Sequence, residues 1–289
     1  MSTDKTKETT PSPYEGLDFF AASKLKLDRA EKHITEVKKI RDEYLESKPI
    51  SLVVEKWSDV KSIPHAAWTF RIRNTPPISI SLPFGDAIHN LRSALDIAVI
   101  DAVRLNKNNT KNVRFPFANS KETLSKQLKE SYIKKAGADV ANFIKQVRPY
   151  PGGNDGLYEL HILDIVDKHR MLVPTASSST IDLSRLSTEA NSTTRTQLAN
   201  WKTGVIDGQM AVAMPLAWSP KIGTNINAKY TLGFHIPEHD NGYDILDYLR
   251  EIKGIVKSIV EAIEAISNRS SSYELQADGR FKVTKIEDS

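Results

Sequence analysis

Apolar residues recur at steps of three and four over much of this chain, so helices are the first expectation. From about Asp18 to Ser47 the stripe Phe20, Ser23, Leu27, Ala30, Ile34, Val37, Arg41 and Tyr44 predicts one long helix, with Ser23 and Arg41 as its polar members. The period then changes to two. Ile50 to Trp57 reads as a strand, as does Trp68-Phe70-Ile72 alternating with Thr69, Arg71 and Arg73. Ile78, Ile80 and Leu82, alternating with serines beyond the turn Thr75-Pro76-Pro77, predict a third strand. A helix is expected from about Asp86 to Asn106, opened by Gly85 and Asp86, and two shorter ones near 120–131 and 136–147. The break Arg148-Pro149-Tyr150-Pro151-Gly152-Gly153-Asn154 precedes a helix from Asp155 to about Arg170. Strands with long polar connections follow, the clearest being Ile226, Ala228, Tyr230, Leu232, Phe234 and Ile236. The last helix, about Tyr243 to Asn268, carries Ile245, Leu249, Ile252, Val256, Ile259, Ile263 and Ile266 at heptad spacing. Ile255 and Val260 widen that stripe, which favours packing within the chain over a bare dimer zipper.

The elements sum to an α+β fold, a helical bundle with long N- and C-terminal helices plus antiparallel strands. Residues 1–15, polar and proline-containing, read as a flexible tail. Residues 16–269 read as a single α+β domain with β insertions at 50–82 and 172–236, and 270–289 as a C-terminal tail with one edge strand near Arg280 to Ile286.

Composition narrows the chemistry. With 289 residues, 39% hydrophobic and 26% charged, a sizeable core is expected. The chain has no cysteine, which excludes disulfides, thiolate metal sites and cysteine nucleophiles. A net charge of +4 comes from 40 basic against 36 acidic residues spread along the chain, and the densest basic runs, Lys38-Lys39-Ile40-Arg41 and Lys134-Lys135, are short enough to read as solvated helix faces. No apolar run approaches the roughly 18 residues that span a bilayer, and MSTDKTKETTPSP holds no apolar signal core. A cytoplasmic protein without a membrane partner is expected.

Polar residues enter an otherwise apolar helix at two places. His89, Arg92, Ser93 and Asp96, separated by three, four and seven positions, fall on one stripe of the helix that begins near Gly85-Asp86. Histidine beside arginine and aspartate suits acid/base work or phosphate binding, and equally suits a buried network tying this helix to a neighbour. The second place is Asp167, four after Leu163 and seven after Leu160, followed by Lys168, His169 and Arg170. Its partners by spacing are Arg170, Arg92 or His89, whereas His161, Asp164 and Lys168 form a separate stripe expected to face solvent. Metal binding finds little support: Pro237 breaks any helix through His235, Glu238, His239 and Asp240, and His161, Asp164, Asp167 and His169 spread around their helix. No phosphate loop, dinucleotide fingerprint or hydrolase elbow is present, so no cofactor is expected.

The blocks Gly85-Asp86-x-x-His89-Asn90-Leu91-Arg92-Ser93-Ala94-Leu95-Asp96, Arg148-Pro149-Tyr150 and Leu160 to Asp167-Lys168-His169-Arg170 resemble a widespread group of uncharacterised bacterial proteins over roughly residues 15–265. The first block also resembles, more remotely, the arginine-to-histidine helix motif of the HEPN superfamily, helical proteins that include metal-independent RNases of toxin and anti-phage systems. That resemblance implies an RNA or nucleotide partner. Group members often carry histidine directly after the Asp96 equivalent, but here Ile97 stands there and no arginine is followed by histidine at the motif's spacing. An altered or degenerate RNase is therefore implied, with His89, Arg92, Asp96 and His169 as catalytic candidates and Asn90, Arg92, Asp167, Lys168 and Arg170 as ligand-binding ones. The competing expectations are a non-catalytic protein whose terminal helices bind a partner or a second copy, and, last, a metal-dependent hydrolase.

Overall fold

The computed structural model describes residues 18–58, 64–182, 205–215, 227–234, 244–269, 271–276 and 279–285. They form an α+β fold. Its helices are α1 (Ala21–Glu46), α2 (Ser81–Leu105), α3 (Leu124–Glu130), α4 (Ala138–Val147), α5 (Asp155–His169) and α6 (Ile245–Asn268). Its strands are β1 (Ile50–Ser58), β2 (Pro64–Ile72), β3 (Pro174–Asp182), β4 (Met210–Pro215), β5 (Asn227–Phe234), β6 (Ser271–Leu275) and β7 (Phe281–Lys285). All pairing is antiparallel, in a sheet ordered β1-β2-β4, a pair β3-β5 and a hairpin β6-β7. No described helix is long and apolar enough to cross a membrane.

Two compact units divide the chain. One takes the described residues up to Leu27, Ser93–Asn154 and those from Val256 onward; the other takes Asp28–Arg92 and Asp155–Ile255. In the first, β7 lies where an edge strand was expected, and it pairs with β6 as an antiparallel hairpin, one strand more than the sequence predicted. Aromatic packing accounts for it, because the Phe143 ring of α4 lies 4.9 Å from Tyr273 and 4.7 Å from Phe281, both edge-on. The same unit explains the serine in the α1 stripe. Phe20 is buried with φ of 66°, a left-handed conformation costly for a side chain, and Asp101 Oδ2 accepts its amide at 2.9 Å while Ser23 Oγ donates to its carbonyl at 2.8 Å.

In the second unit Ile50, Trp68 and Phe70 of the first sheet share an apolar cluster with Ala176 of β3. The strand expected at Ile78 to Leu82 is instead a 3₁₀ turn, Ile78–Ile80, running into α2. Ile80 is fully buried whereas Ile78 and Leu82 are 52% and 65% exposed, so the alternation in sequence does not make one face. Pro83 fits because the first turn of a helix has no use for its missing N–H. Asp86 accordingly sits inside α2 and does not cap it.

Arg41, the charge in the α1 stripe, meets the buried carboxylate of Asp244 at 2.8 Å, and Asp244 also accepts the amides of Leu246 at 3.0 Å and Leu232 at 3.4 Å. The heptad positions of α6 from Ile245 to Ile263 are buried, so the seam offered to a second copy is covered by the chain itself. Removing one member of a buried ion pair strands the other. Asp244→Ala is expected to lower the unfolding free energy by about 3 kcal/mol, read from denaturant titration, and an unchanged midpoint would contradict the assignment.

Candidate functional site

The site is built where the first part of α2 meets α5. At Gly85 a Cβ would overlap the Asp167 carboxylate, so a residue without a side chain leaves that carboxylate its place. One turn away on each helix, buried Asp164 meets a histidine and a lysine. His89 Nδ1 lies 3.0 Å from Asp164 Oδ1, and Lys168 Nζ donates to Oδ2 at 2.5 Å. Asp164 is 5% exposed in its side chain while His89 and Lys168 are each 51% exposed, so a buried anion is held by two groups that reach solvent. With Nδ1 directed at a carboxylate, the neutral imidazole keeps its proton there and Nε2 becomes the acceptor.

Asp167 differs from Asp164 in every respect but its helix. It is half-buried, and no hydrogen bond to its carboxylate is made among the described residues. Burial, then the neighbouring charges of Asp164 and Asp86, raise its pKa above the ordinary 3.8 against the opposing pull of His89 and Lys168. Asp167 and Asp86 line a cleft of about 370 Å³ together with His169, Arg170, Leu82 and Met171. Ser81 Oγ donates to the Leu172 carbonyl at 2.6 Å and so pins the chain beyond α5 to the start of α2. His33 of α1 adds a further weak contact, its Nδ1 lying 3.8 Å from Asp86 Oδ2.

Of the residues nominated from sequence, the structure brings His89 and Lys168 together on Asp164, and places Asp167, His169 and Arg170 around one cleft. Others are used elsewhere. Asn90 Nδ2 donates to the Asp86 carbonyl one turn back, and Arg92 is buried and does not line the cleft. Asp96 accepts the Phe115 amide at 2.7 Å, fixing the segment after α2 in the other unit. Where Arg170, Arg92 or His89 was expected to meet Asp167, the observed network is His89-Asp164-Lys168. Asp164, expected at the surface, is the residue that sequence reasoning missed. Its signal was available, since it stands seven after Leu157 and four after Leu160, and α5 buries Leu157, Leu160, Leu163 and Asp164.

Among the described residues no His, Asp and Glu side chains are grouped to hold a metal ion, and His235, Glu238, His239 and Asp240 lie outside those residues. The chain matches no known protein family, curated protein or solved structure.

Two measurements test this geometry. Alanine is ordinarily about 1 kcal/mol better than glycine inside a helix. Gly85→Ala is expected to be destabilising here, Asp167→Ala to relieve it, and the double-mutant coupling to reach at least about 1 kcal/mol; strict additivity would refute the close approach. The raised pKa of Asp167 also sets a sign. Its protonated form favours the folded state, so that contribution is fully present below pH 3.8 and is lost as pH rises through the higher folded-state value. Asp167→Asn should therefore be more stable than the parent at pH 7, with the advantage closing as pH falls below 3.8. A constant difference across that range would count against the assignment.

Proposed function

We propose that the protein is an RNA- or nucleotide-binding protein of HEPN-like character, and an altered RNase in which His89 and Asp167 take the place of the missing motif histidine. The observation that carries this reading is a cleft lined by Arg170 and by Asp167, a carboxyl of raised pKa set against Gly85, one helical turn before a histidine held by a buried aspartate. An acid and a base with divergent environments are what general acid–base catalysis requires. Arg170 and His169 offer donors for a phosphodiester, the guanidinium by its two-pronged geometry. The remote resemblance of the His89 to Asp96 block to the HEPN motif points the same way.

In this mechanism His89 Nε2 takes the proton of a ribose 2′-hydroxyl, whose oxygen forms a bond to the adjacent phosphorus. The bond from phosphorus to the 5′ oxygen breaks, and protonated Asp167 supplies the proton to that leaving oxygen. Asp164 acts through His89, holding its tautomer and stabilising the imidazolium, while Lys168 offsets the charge of Asp164.

A non-catalytic interaction protein is the second reading, favoured by the internal use of Asn90 and Asp96. Cleavage of a single-stranded RNA oligonucleotide in the presence of chelator separates the two. Removal of one positioned acid or base typically costs about 10²–10⁴ in rate. His89→Ala and Asp167→Asn are each expected to lose at least about 100-fold in cleavage while remaining folded by circular dichroism, and Arg170→Ala to weaken RNA binding. Absence of RNA affinity in the parent protein would end the proposal, and full cleavage by His89→Ala would end its catalytic part.

A further inference from the structure

Several lysines of this protein's helices are answered by acids one turn away. Lys38 faces Asp42, Lys39 faces Glu43, Lys126 faces Glu130 and Lys257 faces Glu261. Three lysines of α3, the turn after it and α4 gather without such partners. Lys129, Lys134 and Lys145 meet no carboxylate among the described residues; Lys145 reaches only the Asn142 side-chain oxygen, at 3.4 Å. They border one groove of about 460 Å³.

The local chain explains how the groove forms. Tyr132 adopts a left-handed φ of 53° after α3, a 3₁₀ turn follows over Ile133–Ala136, and Gly137 with φ of 102° starts α4 on its return. Lys135 is drawn away, its Nζ donating to the Asn109 carbonyl at 3.0 Å and lying 4.7 Å from the Tyr132 ring centre. Lys134 is left at the groove. The floor is apolar: Leu128, Ile133 and Ala141 are buried core residues, and the small side chains of Ala138 and Ala141, one turn apart, leave the volume between the helices.

We propose that this groove docks an acidic, amphipathic segment of a partner protein. A helical segment lays large apolar side chains one turn apart onto a floor of this kind, in the manner of helix-in-groove recognition. Its flanking carboxylates meet the three lysines, whose charge no carboxylate among the described residues compensates. A nucleic acid fits less well. Its phosphates would satisfy the lysines, but no aromatic side chain lines the groove to stack a base, and the apolar floor offers a polyanion nothing. The groove shares no lining residue with the cleft at Asp167, and neither inference depends on the other.

The test is selection from a phage-displayed peptide library on the full-length protein. Enriched peptides are expected to combine carboxylates with large apolar residues at i and i+3 or i+4. Their affinity should fall as salt rises, and should drop at least about tenfold in the charge-reversed variant Lys129→Glu/Lys134→Glu/Lys145→Glu. Ala138→Trp, which keeps the lysines and fills the groove, should weaken the same peptides equally, with circular dichroism unchanged in both variants. Enrichment without acidic residues, or undiminished binding to either variant, overturns the proposal. So does binding of an RNA oligonucleotide of about 20 bases that the charge reversal abolishes, since that assigns the groove to nucleic acid.

Discussion

A carboxylate taken out of water must be met by cations or donors, and in this protein Asp164 is where that requirement shapes most. Its two oxygens are answered separately, by His89 from α2 and by Lys168 from its own helix, so neither lone partner leaves the charge exposed to an apolar wall. Satisfying Asp164 fixes the rotation of α5 about its axis. That rotation brings Asp167 over Gly85 and directs the basic end of α5 to the cleft. A cationic last turn also suits the partial negative charge at a helix C-terminus, so Lys168 and His169 serve the helix as well as the site.

The same device recurs with different partners. Asp244 is buried where α6 begins and is met by Arg41 together with two backbone amides, which makes it an anchor for the first turn of the helix. Asp101 is buried within α2 and accepts the amide of the left-handed Phe20 while Arg104, one turn on, neutralises it. Each carboxylate is thereby spent on ending, starting or aligning a helix. Only Asp167, of the acids in the α2 and α5 cluster that are shielded from water, lacks a hydrogen bond among the described residues.

Periodicity made the helices legible because burial and spacing are the same fact seen twice. The α6 heptad, the α1 stripe and the alternation through Trp68, Phe70 and Ile72 all correspond to buried residues or observed strands. Where legibility failed, two spacings competed or a local rule was overridden. Asp164 and Asp167 both stand four and seven residues after leucines, and only the position of α2 decides which is buried. The alternation at Ile78 to Leu82 mimicked a strand because serines happened to separate apolar residues that point different ways. The role of Asp96 was hidden for another reason. Its partner is a backbone amide, Phe115 N, and a backbone group leaves no mark in the sequence.

Two aspartates three residues apart on one helix therefore have opposite fates, and the difference is environmental and not chemical. Asp164 is more deeply buried, yet both of its oxygens are in direct contact with basic side chains, His89 and Lys168. Asp167 is less buried but faces the charges of Asp164 and Asp86 without a donor of its own, so its surroundings favour the protonated form. The ionised Asp164 is itself one of the causes that raise Asp167, which makes the structural pair and the reactive carboxyl a single electrostatic unit. Removing the charge of Asp164 would both release His89 and relax Asp167, so the residue that builds the site also sets its chemistry. That coupling is why a buried ion pair in this position does more than hold two helices together.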